Sequence, residues 1–190
     1  MILYGPPGVG KDTITGELSR LRAEFALFER LKAGPGRTAG YRLTTAEHIE
    51  ALSRAGALLY RNARYEAEYA IDWKGIAALV DANRIPVLHM GQVLGASAVA
   101  TFPLNWIRVL LWCPLDVTES RSISRGDRDA EARVKVWHET REDLLAHETE
   151  PWTLALRTDR LSPTESADAI IDALATNASA EDRNIRELVG

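Results

Sequence analysis

Met1-Ile2-Leu3-Tyr4-Gly5-Pro6-Pro7-Gly8-Val9-Gly10-Lys11-Asp12-Thr13 opens the chain and decides how it should fold. An apolar run of buried-strand type enters G-x-x-x-x-G-K, and Ile14, Leu18 and Leu21 then recur at the spacing of an amphipathic helix. Strand, glycine-rich loop and helix in that order make a phosphate-binding loop. The glycines permit a tight turn, backbone N–H groups aim at phosphate oxygens, and the positive end of the helix dipole faces the same anion. Lys11 adds a point charge between the terminal and adjoining phosphates. Asp12 stands where Ser or Thr is expected. The expected ligand is a nucleoside triphosphate, with Gly5, Gly8, Val9, Gly10, Lys11, Asp12 and Thr13 as its contacts.

The bulk composition bounds the rest. With 190 residues, 46% of them hydrophobic, the chain suits one buried core, so a single domain over residues 1–190 with inserts is expected. A net charge of −4 argues against a sequence-independent nucleic-acid binder, whose affinity comes mostly from neutralising phosphates. Cys113, the only cysteine, has no partner for a disulfide or a cysteine-based zinc site and reads as core. No apolar run reaches bilayer-spanning length, and the phosphate loop occupies the N-terminus where a signal peptide would lie. A cytoplasmic protein with no membrane partner is expected.

Strand-like runs recur at 2–4, 25–28, 86–90, 107–112 and 152–156, separated by helix-length segments. Helices are expected at 12–23, 73–83, 115–124, 130–147 and 163–175, the last started by Ser162, Pro163 and Glu165. This alternation is that of an α/β fold with a mostly parallel, doubly wound sheet. Ligands of such sheets lie beyond the carboxyl ends of the strands, which sends the loops after Tyr4, Phe28, Met90 and Cys113 to one cleft. His89 and Gln92 fall where the third of these runs opens into it. Between Glu29 and Asp72 the rhythm breaks at Gly34-Pro35-Gly36 and Gly40, Thr45 caps a short helix, and Leu58-Leu59-Tyr60 starts another extended piece. An inserted substrate lobe over about 30–72 follows. The polar tail after Ala175 reads as a loosely attached helix. His48, His138 and His147 lie on expected helices without metal-ligand pairing.

With these pieces in place, the chain resembles the guanylate kinase branch of the P-loop nucleoside-monophosphate kinases. The phosphate loop carries part of the likeness. The insert carries more of it, in Gly40-Tyr41-Arg42-Leu43, Ala46-Glu47-His48-Ile49, Ala55-Gly56 and Tyr69. A third part is Glu119-Ser120-Arg121-Ser122-Ile123-Ser124-Arg125-Gly126, followed by Arg133 and the segment 137–144. The resemblance implies a P-loop NTPase fold with a five-stranded parallel sheet, an inserted substrate lobe and an arginine-bearing lid over about 121–135. It also implies in-line transfer of the terminal phosphoryl of ATP to a monophosphate, with Mg²⁺. Positioning and charge stabilisation dominate such chemistry, so Lys11 and the lid residues Arg121, Arg125 and Arg133 are the catalytic candidates, with Arg128 behind them. Tyr41 and Tyr69 match tyrosines that hold the acceptor's phosphate in that family. Arg30 and Lys32 fall near its phosphate-binding arginines, with Arg37 as a rival.

Where the family reads guanine, this chain departs. Tyr60 replaces the glutamate that accepts hydrogen bonds from the base, Ile71 replaces a small hydroxyl residue, and the acidic end of the third core strand becomes Leu88-His89-Met90-Gly91-Gln92. A site stripped of its base-reading partners has no reason to prefer guanine, so a phosphorylated acceptor other than GMP is expected. Asp12 makes sense near phosphates when Mg²⁺ or its water shell lies between. Gly-Lys-Asp also resembles the loop of the ribose 1,5-bisphosphate phosphokinases, which allows a sugar-phosphate acceptor. The rivals are a kinase acting on a hydroxyl and a nucleotide-binding scaffold without transfer activity.

Overall fold

The computed structural model describes residues 1–64, 66–124, 130–181 and 183–190. Along the chain run β1 (Ile2–Tyr4), α1 (Lys11–Leu21), β2 (Phe25–Leu27), β3 (Arg30–Ala33), β4 (Tyr41–Leu43), α2 (Ala46–Arg54), β5 (Leu58–Arg64), β6 (Ala67–Asp72) and α3 (Trp73–Asp81). They continue with β7 (Ile85–Met90), α4 (Val93–Ala100), β8 (Arg108–Trp112), α5 (Leu115–Ser124), α6 (Ala130–Ala146), β9 (Leu154–Arg157), α7 (Pro163–Ala175) and α8 (Ile185–Val189).

Five strands form the core sheet in the order β2-β7-β1-β8-β9, all parallel. Strands buried on both faces read as nearly continuous apolar runs, and β1 and β8 are buried throughout, with the one charged position, Arg108, paired to Glu150 at 2.7 Å. Alternation divides their side chains between two cores. Ile2, Tyr4, Leu110 and Trp112 face α4, α6 and α8, whereas Leu3, Val109 and Leu111 face Ile14 and Leu18 of α1 and Ile170 of α7. The last strand begins at Leu154 rather than Trp152, because Trp152 instead exchanges backbone hydrogen bonds with Glu181 (3.2 and 3.1 Å).

That bridge corrects the expectation of a loose tail. Ile185 and Val189 of α8 are buried in the core on the α6 side, and Arg141 Nε donates to the Val189 carbonyl at 3.1 Å. Ile185 and Val189, with Leu188 packed alongside, are too few to register as periodicity in a polar stretch.

The insert builds a second sheet, β4-β3-β6-β5, in which β3 and β4 run parallel and the other pairs antiparallel. Its outer face is apolar, with Leu31, Ala33 and Ala70 packed on Ile49 and Leu52 of α2. The junction with the core is pinned by Asp72. This buried carboxylate caps α3 through Gly75 N–H (2.8 Å) and pairs with the Arg42 guanidinium, which lies 5.2 Å above the Phe28 ring and donates to the Glu29 carbonyl.

Helix α4 has no capping side chain of its own at Gln92. Asp143 of α6 supplies one across space: its Oδ2 accepts from Val93 N–H (2.7 Å) and from the Tyr4 hydroxyl (2.8 Å). Burial together with the Asp143 charge pushes the Tyr4 phenol well above its ordinary pKa. One carboxylate thus joins the central strand, α4 and α6. Replacing Asp143 by Ala strands the Val93 N–H and leaves the Tyr4 hydroxyl only the longer contact to the Thr140 carbonyl (3.4 Å), and a urea melt should show a loss of about 2 kcal/mol.

Candidate active site

At the carboxyl end of β1 the chain must turn without a side chain. Gly5 has φ +155°, and a Cβ there would lie 2.4 Å from the Leu111 carbonyl oxygen. Gly10 caps α1 with no side-chain hydrogen bond, so the first N–H groups of the helix stay available to an anion. The Lys11 ammonium closes the loop from within, donating to the carbonyls of Gly5 (2.6 Å) and Pro6 (2.8 Å). Burial holds its pKa down to about 8. Val9 is fully buried in the core beneath α1, so its side chain anchors the loop from below.

A cavity of about 820 Å³ opens above this loop, lined by Gly5, Gly8, Gly10, Lys11, Asp12 and Thr13 on one side and by the inserted sheet on the other. Strand alternation selects what the sheet presents. The face opposite α2 carries Arg30 and Lys32 on β3, Tyr41 on β4, Tyr69 on β6, and Tyr60, Asn62 and Arg64 on β5. Tyr41 and Tyr69 meet with ring centroids 5.4 Å apart, and the Arg30 guanidinium lies over both at 5.7 and 5.2 Å.

Lys32 does not join Arg30 in the cavity. Its side chain is buried, and Nζ is held by the carbonyls of Gly34, Pro35 and Arg37, which bend the following loop around it. A buried ammonium needs every donor satisfied, and backbone oxygens meet that need here. Arg37 lines the cavity from the same loop and reaches Asp12, with 3.6 Å between charged atoms.

His89 and Gln92 line the cavity where β7 ends, beside the phosphate loop. The Tyr60 hydroxyl donates to Gln92 Oε1 at 2.6 Å, a contact permitted because Gly95 leaves no Cβ against the Tyr60 ring. His89 Nε2 sits 2.7 Å from the Thr15 hydroxyl, and Nδ1 lies 3.5 Å from Asp12 Oδ1. Burial and the nearby Lys11 charge push its pKa down to about 3, so the imidazole is neutral. Its proton then belongs on Nδ1, toward Asp12, with Nε2 accepting from Thr15.

The donor set bears on magnesium. Among the described residues no three His, Cys, Asp or Glu side chains gather as a metal cage. Asp12 is 67% exposed at the phosphate loop, and its neighbours stand beyond hydrogen-bond distance. A single open carboxylate fits Mg²⁺ that arrives on a triphosphate and keeps most of its waters.

The lid candidates separate. Arg133 of α6 lines the cavity. Arg121 of α5 does not: it donates to the Gly8 carbonyl (3.3 Å) and to Thr158 (2.6 and 3.2 Å), bracing the back of the phosphate loop against the end of β9. The loop after Cys113, expected at the cleft, does not line the cavity either. Arg125 and Arg128 lie outside the described residues. Asn62 and Arg64 line the cavity although nothing in their residue types singled them out. Their spacing from Tyr60 was the available signal, once β5 is known to be a strand.

No protein-family model matches the chain, and no curated protein matches it by sequence. Among solved structures, guanylate kinase from Anaplasma phagocytophilum is similar at 14% identity and a TM-score of 0.63, over 97% of this chain and 87% of that one. Shikimate kinase from Acinetobacter baumannii in complex with shikimate is similar at 16% identity and a TM-score of 0.47, over 93% and 92% of the two chains. The chain shares the fold of that guanylate kinase.

Lys11 sets an expected pH dependence. Below about 8 the ammonium is already charged and triphosphate affinity should be flat. Above that value binding must recruit a proton to Lys11, and affinity should fall by up to about tenfold per pH unit. Calorimetric titration across this range tests it, and Lys11→Ala should bind weakly with the profile flattened.

Proposed function

We propose that this chain is an ATP-dependent phosphotransferase of the nucleoside-monophosphate kinase type, acting on a phosphorylated small molecule other than GMP. The observation that carries the reading is that the phosphate loop and the Arg30–Tyr41–Tyr69 cluster line one cavity. The triphosphate lies along Gly8 to Thr13, where Lys11 exchanges loop carbonyls for phosphate oxygens. Asp12 would hold magnesium arriving with the triphosphate, and the ion would supply charge neutralisation on the phosphates. Arg30 and the two tyrosine hydroxyls hold the acceptor's phosphate in line with the terminal phosphoryl, and Arg133 stabilises the negative charge spread over the migrating group. An attacking phosphate oxygen needs no strong base, which agrees with a neutral His89.

The choice against GMP rests on the lining. Asp12 is the only carboxylate among the described lining residues, and it belongs to the phosphate loop. Tyr60 is already engaged with Gln92. A second reading, transfer to a hydroxyl, is favoured by one feature: Asp12 is exposed at the site and is approached by His89, itself held by Thr15. Asp12 could there accept the hydroxyl proton.

Incubation with MgATP and a panel of nucleoside monophosphates, sugar phosphates and unphosphorylated alcohols, followed by phosphorus NMR of the products, decides between them. A new diphosphate is the expected product, and a new monoester identifies the second reading. Lys11→Ala should reduce turnover about a hundredfold or more. ATP binding without transfer to any acceptor would leave only a nucleotide-binding scaffold.

A further inference from the structure

The cations expected around the acceptor's phosphate are fewer than the sequence offers. Lys32 is committed to backbone carbonyls, and Arg37 stands at Asp12. Arg30 remains in the cavity lining, stacked over Tyr41 and Tyr69, while the Lys32 ammonium lies 5.8 and 6.0 Å from the same rings without lining the cavity. A phosphate monoester carries between one and two negative charges near neutral pH, more than one guanidinium offsets. The sheet supplies another positive group on the same face. Asn62 sits directly across from Tyr69, and Arg64 follows it two residues along β5 into the cavity lining.

We propose that Arg64 is an acceptor-binding residue, taking the acceptor's anionic group together with Arg30, and that Glu139 of α6 is its exchange partner. Arg64 donates to Glu139 Oε2 at 2.6 Å, in a pair open to solvent at both ends (27% and 41% exposed). A screened surface pair of this kind is weak, whereas a guanidinium on phosphate makes a charge-assisted, two-pronged contact inside a cleft. Trading the carboxylate for a phosphate is therefore favourable. The exchange also selects: an acceptor without an anionic group at this point has nothing with which to displace Glu139. This inference rests on reading the cavity as a two-ligand kinase site, and it adds a positive group that the resemblance to guanylate kinases does not imply.

A purely structural role, tying β5 to α6, predicts that breaking the pair from either end has the same consequence. Binding predicts asymmetry. The phosphate loop is first filled with a non-hydrolysable ATP analogue and magnesium, and inorganic phosphate is then titrated calorimetrically into the wild type, Arg64→Ala, Arg64→Gln, Arg30→Ala and Glu139→Gln. Arg64→Ala, Arg64→Gln and Arg30→Ala should each weaken phosphate binding about tenfold or more, while Glu139→Gln stays within about threefold of the wild type or binds more tightly. Affinity for the ATP analogue should be common to all five proteins. Their melting temperatures without ligand report folding, and Arg64→Gln keeps the side-chain bulk where Ala disturbs β5.

Equal weakening in the Arg64 variants and Glu139→Gln would overturn the inference in favour of a structural tie. Loss in Arg30→Ala alone would overturn it while leaving the two-ligand site standing. Absence of phosphate binding from the nucleotide-loaded wild type would overturn both.

Discussion

Everything at the site depends on how β1 is paired. Three residues long and wholly buried, it lies between β7 and β8, and the chain leaves it in one direction through α1 to β2 while β7 leads in the other through α4 to β8. The crossovers diverge at the β1–β7 boundary, opening a crevice at the carboxyl ends of those strands. Gly5 turns into that crevice, and the Gly5 N–H donates to the Met90 carbonyl at 3.2 Å, so the phosphate loop and the end of β7 are tied together. His89 and Gln92 owe their places in the cavity to this pairing.

Positive charge gathers around the crevice, offset in part by Asp12 beside Arg37 and by Glu139 on Arg64. Lys11, Arg30, Arg37, Arg64 and Arg133 line the cavity, against Asp12 as the only lining carboxylate among the described residues. Holding such groups together is unfavourable by itself, and the low pKa values of Lys11 and His89 record it: burial acts first, and neighbouring cations add to it. An anionic ligand relieves that cost. Beside these charges the cavity offers neutral groups such as Asn62, whose Oδ1 has no hydrogen-bond partner among the described residues.

Much of this was legible in the chain because it rests on local rules. The phosphate loop is a contiguous stretch whose glycines and lysine act through the backbone that carries them. The start of α7 follows from Ser162, Pro163 and Glu165, and both halves of that capping box form. Helix α4 was not legible: its composition is small and apolar, and its cap arrives from Asp143, fifty positions away in sequence. Lys32 and Arg121 show the other limit. A basic residue near a predicted site looks the same in sequence whether it faces the ligand or satisfies carbonyls behind it, and here both do the latter.

By itself the sequence determined the α/β class, the central phosphate loop and the separate character of the 30–72 insert, since these follow from periodicity, glycine placement and breaks in pattern within short windows. Only the tertiary structure decided which charges face one another. It put Arg30 over two tyrosines from different strands, set Arg64 against Glu139 across 75 residues, docked the polar tail through Ile185 and Val189, and withdrew Lys32 and Arg121 from the cavity. The reason is that strand register and face assign side chains in pairs, and a one-residue shift of β5 would have turned Tyr60, Asn62 and Arg64 away from the site together.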